Sequence, residues 1–180
     1  MKINKILRSL SVLLICATSI IGCGGGGGGG GSGDGFVGAA DSSIEVSPSS
    51  IDTGDRTQVT ISLSSIHDNG IVLKVRYPKG LAYVPSSAFL NVNNKQVDIG
   101  PQKNQTKETY TYLVFFLTAD QFGTDGEGEV IFELVGNSAV EEGLVEVDAD
   151  VNDPLTDDGT EFNVNKPEFG TEESADISVI

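Results

Sequence analysis

RTQVTISLS, residues 56–64, alternates apolar and polar side chains along its whole length. Val59, Ile61 and Leu63 share one side of the pattern, and hydroxyl-bearing residues share the other. Successive side chains of a β-strand point to opposite faces of its sheet, so this spacing predicts a strand with one buried and one solvent-facing side. Helical periodicity is nearly absent from the rest of the chain, and the stretch therefore indicates an all-β fold.

Three further stretches repeat this alternation: IVLKVRY (71–77), GEVIFELV (128–135) and LVEVDADVN (144–152). In the first of them, Lys74 and Arg76 are expected to point into solvent. Shorter candidate strands lie at 43–47, 88–93, 96–100, 161–165 and 176–180, and a short helix is predicted at 118–122. Roughly eight to ten short strands separated by turn sequences are typical of a sandwich or barrel.

One stretch, YTYLVFFL (110–117), is apolar on both faces. It predicts either a central strand covered on both sides or a strand whose outer face meets another molecule. Tyr110, Tyr112 and Phe116 could face outward together and form a binding surface. The chain contains no Trp, which makes a carbohydrate-binding platform less favoured than a protein-binding one.

The segment YPKGLAYVPSSAFL (77–90) resembles the Pro-x-Gly-Leu-x-Tyr-Val segment of immunoglobulin-like repeat domains in bacterial surface proteins. FGTDGEGEVIFELVG (122–136) is similar to a later glycine-rich turn and strand of the same domains, and cohesins share some of these features. The resemblance implies a single immunoglobulin-like, cohesin-like antiparallel β-sandwich. It implies no catalytic residues.

The first 22 residues have the composition of an export signal. A basic start is followed by a mostly apolar run of twelve residues, Leu10 to Ile21, whereas a membrane-spanning helix needs about 20. Ile20-Ile21-Gly22-Cys23 resembles the lipobox of bacterial lipoproteins. The resemblance implies cleavage after Gly22 and lipidation of Cys23, and Gly24 in place of an Asp points to the outer membrane. The alternative is an ordinary secretory signal with an incidental cysteine.

Eight consecutive glycines, residues 24–31, follow this cysteine. Glycine loses much conformational entropy on ordering, so residues 23–42 are expected to act as a flexible tether with a reach of roughly 25 Å. The expected organisation is a signal peptide (1–22), this tether (23–42) and one domain (43–180). Several acyl chains on Cys23 would hold the protein stably on a bilayer.

The charge of the processed chain excludes one class of partner. Cleavage would leave eight basic residues against 26 acidic ones, a net charge of −18. Such a surface repels nucleic acid and anionic lipid. With Cys16 removed and Cys23 lipidated, no thiol would remain for a disulfide or a cysteine zinc site.

An acidic cluster at residues 146–161 suggests calcium. The spacing Asp-x-Asp-x-Asn matches the first five positions of an EF-hand calcium loop. The match then ends, because Asp153 replaces the glycine at position 6 of that loop and Gly159 replaces the glutamate at position 12. A calcium site of another type remains open, as does a solvated acidic edge that prevents strand-to-strand aggregation. The candidate ligands are Asp148, Asp150, Asn152, Asp153, Asp157 and Asp158.

Catalytic motifs are missing from the sequence. His67 is the only histidine, and its neighbours Ser65 and Asp68 lie on the same short turn, from which side chains diverge. Glycosidases use a pair of carboxylates, but among 26 acidic residues some pair always has a suitable spacing. Such a pair is therefore no evidence for glycosidase activity. We expect no enzymatic activity, with a small envelope hydrolase using Asp and Glu as the alternative.

The sequence thus predicts a lipoprotein of the cell envelope that acts as a non-catalytic binding or structural module. Its expected partner is a protein that adds a strand to an exposed sheet edge. A calcium-stabilised surface adhesion module or a carbohydrate-binding module is the alternative.

Overall fold

The alternating stretches form the long strands of two packed sheets. The computed structural model describes residues 41–66, 68, 70–107, 109–150 and 174–180. Within these residues a short 3₁₀ turn, Ala119–Phe122, lies where the helix was predicted. The strands are β1 Asp41–Ser47, β2 Ser50–Ile51, β3 Arg56–Ser64, β4 Ile71–Pro78, β5 Leu81–Tyr83, β6 Phe89–Val92, β7 Lys95–Asp98, β8 Lys103–Lys107, β9 Tyr110–Leu117, β10 Gly128–Gly136, β11 Val140–Asp150 and β12 Ser174–Val179.

The first sheet, sheet A, has the strand order β1-β3-β10-β6-β7, and β5 pairs with β10 further along the same side as β6. All its pairs are antiparallel. The β6–β7 connection is a two-residue hairpin in which Asn93 and Asn94 adopt φ values of 51° and 62°. Two positive φ angles match the strand twist of a tight hairpin, and asparagine tolerates them better than most residues.

The second sheet, sheet B, has the order β2-β12-β11-β4-β9-β8. Its pairs are antiparallel except for the short parallel pair of β2 with β12. β4 and β9 pair over eight residues each, from Ile71 opposite Leu117 to Pro78 opposite Tyr110. β4 lies at the centre of the sheet, between β11 and β9.

The core lies between the two sheets and consists of the apolar side chains that the alternation assigned to one face. Val59, Ile61 and Leu63 are buried as predicted. Each such side chain contributes about 1.5–3 kcal/mol by leaving water. The inner faces of the other long strands supply Ile71, Leu73, Val75, Tyr77, Leu113, Phe115, Leu117, Val130, Phe132, Leu134, Val145 and Val147. The predicted all-β, immunoglobulin-like sandwich is confirmed.

Tyr77 is the largest polar side chain buried completely in this core. Its hydroxyl oxygen accepts a hydrogen bond from the backbone N–H of Tyr83 at 3.1 Å. Burial raises the pKa of Tyr77 to about 12, and this hydrogen bond opposes the rise only partly. The residue holds β4 to the following strand β5, which is a structural role.

The prediction that both basic residues of β4 lie in solvent is wrong for Lys74. Its side chain is 2% exposed, and its outer-face neighbours Val72 and Val114 are equally buried. The outer face of sheet B is therefore covered at its centre. Alternation in β4 identified the two faces correctly but did not show that both are buried.

Three short strands, β2, β5 and β8, were not predicted, because they are two to five residues long or carry no apolar pattern. The predicted strand at 161–165 lies outside the described residues. Among the described residues, no helix is long and apolar enough to cross a bilayer.

Candidate binding surfaces

The outer face of β9 carries the aromatic residues proposed as a binding surface. Tyr110, Tyr112 and Phe116 alternate along the strand with inward-pointing residues and are half-buried, while Val114 between them is buried. The structure thus brings the three predicted residues to one face. They form a partly covered surface, and none of them is among the exposed large apolar side chains of the described residues.

A cross-strand ion pair fixes this face. Nη2 of Arg76 donates to Oε1 of Glu146 at 2.9 Å, and Nε donates to Oε2 of the same carboxylate. The guanidinium carbon lies 4.8 Å from the ring centroid of Tyr110. The hydrogen bonds from Arg76 to Glu146 raise the pKa of Arg76 despite its partial burial. Such a bidentate pair holds β4, β9 and β11 in one fixed arrangement.

β8 forms the outer edge of sheet B. Within the described residues it pairs on one side only, with β9, from Lys103 opposite Val114 to Lys107 opposite Tyr110. Most of its side chains are exposed, and Thr106 and Thr111 join the two strands by a hydroxyl contact of 3.0 Å. The sequence predicted that a partner adds to an exposed sheet edge but did not identify the strand that forms this edge. Its sequence, KNQTK, lacks apolar residues, and only the pairing reveals it.

The other edge strands are either shorter than β8 or lie beside a strand of the opposite sheet. β2 has two residues, and β1 lies beside β12 of the opposite sheet. β7 has four residues, of which Val97 is 55% exposed. β8, with five residues beside the long β9, is the best template for an added strand.

A second surface lies on the outer side of sheet A and was not predicted. We call it the polar trough. It has a volume of about 560 Å³ and is open to solvent. Register places Ser43, Ser62, Glu129 and Asn91 side by side across four strands. Its lining residues are Ser42, Ser43, Ser62, Leu63, Ser64, Asn91, Asn93, Asn94, Asp125, Glu127, Gly128 and Glu129.

The short serine side chains explain why this region is a depression, since longer side chains flank them. Nδ2 of Asn91 donates to Oε2 of Glu129 at 2.8 Å, which orients that carboxylate. Each of these residues looked like an ordinary solvent-facing position in its own strand. The only sequence signal was the turn GTDGEG (123–128), which supplies two of the three carboxylates.

The predicted calcium ligands are placed only in part. Asp148 and Asp150 lie in β11, opposite Lys74 and Val72 in the register of β4. Asn152, Asp153, Asp157 and Asp158 lie outside the described residues, and so does His67. Among the described side chains, no three acidic, histidine or cysteine residues are grouped as a metal site requires. The calcium site stays a prediction.

No protein-family model matches the sequence, and no curated protein sequence is similar to it. Solved structures do share its fold. The N-terminal domain of the Streptococcus gordonii adhesin Sgo0707 is similar with a TM-score of 0.50 and 10% identity, over 78% of this chain and 32% of the adhesin chain. This chain thus spans about a third of that structure's length.

Two further structures are similar at lower scores. The T6 backbone pilin of Streptococcus pyogenes has a TM-score of 0.46 and 13% identity, over 78% of this chain and 36% of the pilin. A non-cellulosomal cohesin from Archaeoglobus fulgidus has a TM-score of 0.40 and 12% identity, over 78% of this chain and 91% of the cohesin. At these identities the likeness concerns the fold, which is the immunoglobulin-like β-sandwich found in these bacterial surface proteins and in an archaeal cohesin.

Proposed function

We propose that this protein is a lipid-anchored module of the bacterial outer membrane that binds a protein partner without catalysis. The observation that carries the proposal is the edge strand β8, which pairs on one side only among the described residues. An extended segment of a partner would add to this edge by backbone hydrogen bonds. The fold shared with the N-terminal domain of an adhesin fits a module of this kind.

The face next to β8 would supply specificity. In an added strand, side chains on one side would lie beside Lys107 and Gln105, and beyond them lie Tyr110 and Tyr112 of β9. Opposite charges across neighbouring strands stabilise a sheet, and an aromatic surface contributes buried area at low entropic cost. A partner segment with acidic or hydroxyl side chains at alternate positions suits this edge.

Site-specific photocrosslinking in intact cells tests the proposal. A photoreactive side chain at Gln105, on β8, is expected to capture a discrete protein partner. The same side chain at Glu45, an exposed position of β1 on the other sheet, is the matched control and is expected to capture none. Equal capture at both positions, or no capture at Gln105 in cells that express the protein, would contradict the proposed edge.

The anchor is tested separately. Mass spectrometry of the native protein should find Cys23 at the N-terminus with a diacylglyceryl group and an N-acyl chain. Cys23→Ser should move the protein from the membrane fraction to the soluble fraction. An unmodified thiol, or residues 1–22 still attached, would overturn the anchor while leaving the edge-binding proposal standing.

A further inference from the structure

The outer face of sheet B is buried to a degree that its own strands do not explain. Val72, Lys74 and Val114 are 0%, 2% and 1% exposed, and neither valine belongs to the core between the sheets. Side chains stand roughly perpendicular to a sheet, so neighbours in the same sheet shield the sides of a lysine and leave its end open. A third layer must therefore lie on this face.

This layer belongs to the chain itself but not to a described strand. The exposed fractions are those of a single chain, so neither a second copy nor another protein causes them. Every strand that the structure describes is a member of sheet A or sheet B, and the 3₁₀ turn places Phe122 in the core between them. The cover therefore comes from the long parts of the chain outside the described residues, which are 1–40 and 151–173.

Residues 151–173 begin and end beside the covered side chains. They connect β11 to β12, with Asp150 opposite Val72 and Ser174 opposite Glu146 in the register. The two ends are about 14 Å apart along β11, and a hairpin between antiparallel neighbours needs a loop of only about 2–5 residues. The connection is much longer than this gap requires, so it can cross the outer face before it returns to the sheet.

The composition of the chain favours this connection over the N-terminal part. Residues 24–31 are glycines, which have no side chain to place over a valine or a lysine. Residues 151–173 contain Phe162 and Val164 at alternate positions. Alternation places these two on one side of an extended stretch. They can therefore supply apolar contacts to the two covered valines.

Charge favours the same connection. The outward positions of β4, β9 and β8 carry no acidic side chain and four basic ones, Lys74, Arg76, Lys103 and Lys107. Residues 151–173 include seven acidic residues and one basic residue. A buried ammonium group such as that of Lys74 needs an opposite charge close by. Asp148 is opposite Lys74 in the register, and the acidic connection that follows it can supply further charge.

We propose that the outer face of sheet B is the docking surface of residues 151–173 of the same chain, which cover its centre as a third layer. Phe162 and Val164 would pack on Val72 and Val114, and carboxylates of the connection would face the basic positions of β4 and β8. A protein partner would then reach the edge strand β8 but not the centre of the sheet. The proposal depends neither on the lipid anchor nor on strand addition at β8.

Thiol labelling of the chain from residue 23 tests this proposal. With Cys23→Ser that chain has no cysteine, so Val114→Cys introduces a single thiol, and Val97→Cys on sheet A is the control. Each labelling rate is divided by the rate of the same variant in denaturant. We expect the thiol at position 114 to react at least about 100-fold more slowly than the thiol at position 97, where valine is 55% exposed.

Two outcomes of this first measurement would overturn the proposal. Comparable rates at positions 114 and 97 would show that the outer face of sheet B is open. A rate at position 114 that rises when the protein is diluted would show that a second copy covers the face.

Replacing residues 152–172 by a short Gly-Ser connection removes the proposed cover. We expect the rate at position 114 to rise to within about tenfold of the rate at position 97, which should not change. Cooperative thermal unfolding verifies that the variant is folded. Retained protection in the folded variant would assign the cover to residues 23–40 and would overturn the proposal.

Point variants keep the test decisive if the shortened chain does not fold. Phe162→Ser with Val164→Ser removes the apolar side of the connection and should raise the rate at position 114 about tenfold. Asn163→Ser with Asn165→Ser changes the other side of the same stretch and should raise it less than about twofold. Equal rates in the two variants would contradict the proposed packing of Phe162 and Val164 on sheet B.

Discussion

The outer faces of the two sheets differ, although β4 of sheet B alternates as β3 and β10 of sheet A do. On sheet A the outer positions Ser62, Asn91 and Glu129 are only partly buried and line an open acidic depression. On sheet B the outer positions Val72, Lys74 and Val114 are almost completely buried. A period of two therefore reveals which side chains share a face. Whether the second face is wet depends on what the rest of the chain places over it.

The largest effect on folding stability is expected on the inner face of sheet B, at high pH. Tyr77 has a pKa of about 12 in the folded protein against about 10 in the unfolded chain. Below pH 10 both states are protonated and the group has no effect. Between pH 10 and 12 only the unfolded chain loses the proton, so stability falls by about 2–3 kcal/mol.

Tyr77→Phe should abolish that fall, at a cost of about 1 kcal/mol at neutral pH because Tyr83 N–H loses its acceptor. Urea unfolding measured between pH 8 and 12 tests this, with Tyr110→Phe on the outer face as the control. A fall of the same size in Tyr77→Phe would show that another group causes the alkaline loss.

The two arginine–glutamate pairs provide the next test, because they are chemically alike and lie on different faces. Arg76 and Glu146 of sheet B have side chains 21% and 9% exposed, and Arg56 and Glu133 of sheet A have side chains 61% and 40% exposed. Glu146→Gln should destabilise the protein by about 2 kcal/mol, since it removes the charge from the bidentate pair that a partly buried guanidinium makes. Glu133→Gln should cost less than about 1 kcal/mol.

Urea denaturation of both variants measures the difference, and 1 M NaCl should reduce only the smaller effect, because salt screens exposed charges more than buried ones. An equal loss of stability in the two variants would mean that the outer face of sheet B is as exposed to solvent as that of sheet A.

A pair of isosteric changes tests the apolar part of the same contrast. Val114→Thr places a hydroxyl in the buried outer face of sheet B and should cost about 1–2 kcal/mol. Val97→Thr, at a 55% exposed position of sheet A, should change stability by less than about 0.5 kcal/mol. Thermal melting of the two variants decides the matter, and the expected order of melting temperatures is Val97→Thr above Val114→Thr.

The smallest effect is expected from calcium. If the predicted acidic cluster binds it, millimolar Ca²⁺ should stabilise the protein by about 1 kcal/mol, beyond what NaCl of equal ionic strength achieves. Asp148→Asn with Asp150→Asn on sheet B should abolish the gain, and Glu127→Gln with Glu129→Gln on sheet A should not. An unchanged melting temperature in Ca²⁺ would end the calcium proposal.

The core was predictable because its residues are set by local spacing. Val59, Ile61 and Leu63 alternate in one strand, Val130, Phe132 and Leu134 in another, and each set is buried. The strand β8 was not predictable, because KNQTK is polar throughout. Only its pairing with β9 shows that it is a strand. The outer-face residues Tyr110, Tyr112 and Phe116 were identified correctly as neighbours, since the same spacing places them together.

The sequence by itself determined the β-sandwich class and its core, because alternation is a local property that any strand must obey to bury one face. The tertiary structure decided whether the apolar outer face of β9 is covered within the chain, which edge strand has a single partner among the described residues, and which polar residues meet. Ser43, Ser62, Glu129 and Asn91 come from four separate strands, and strand order and register bring them together. Alternation and turns fix register locally, but the order of strands that are far apart in the sequence is set by the packing of the whole chain, which no short stretch encodes.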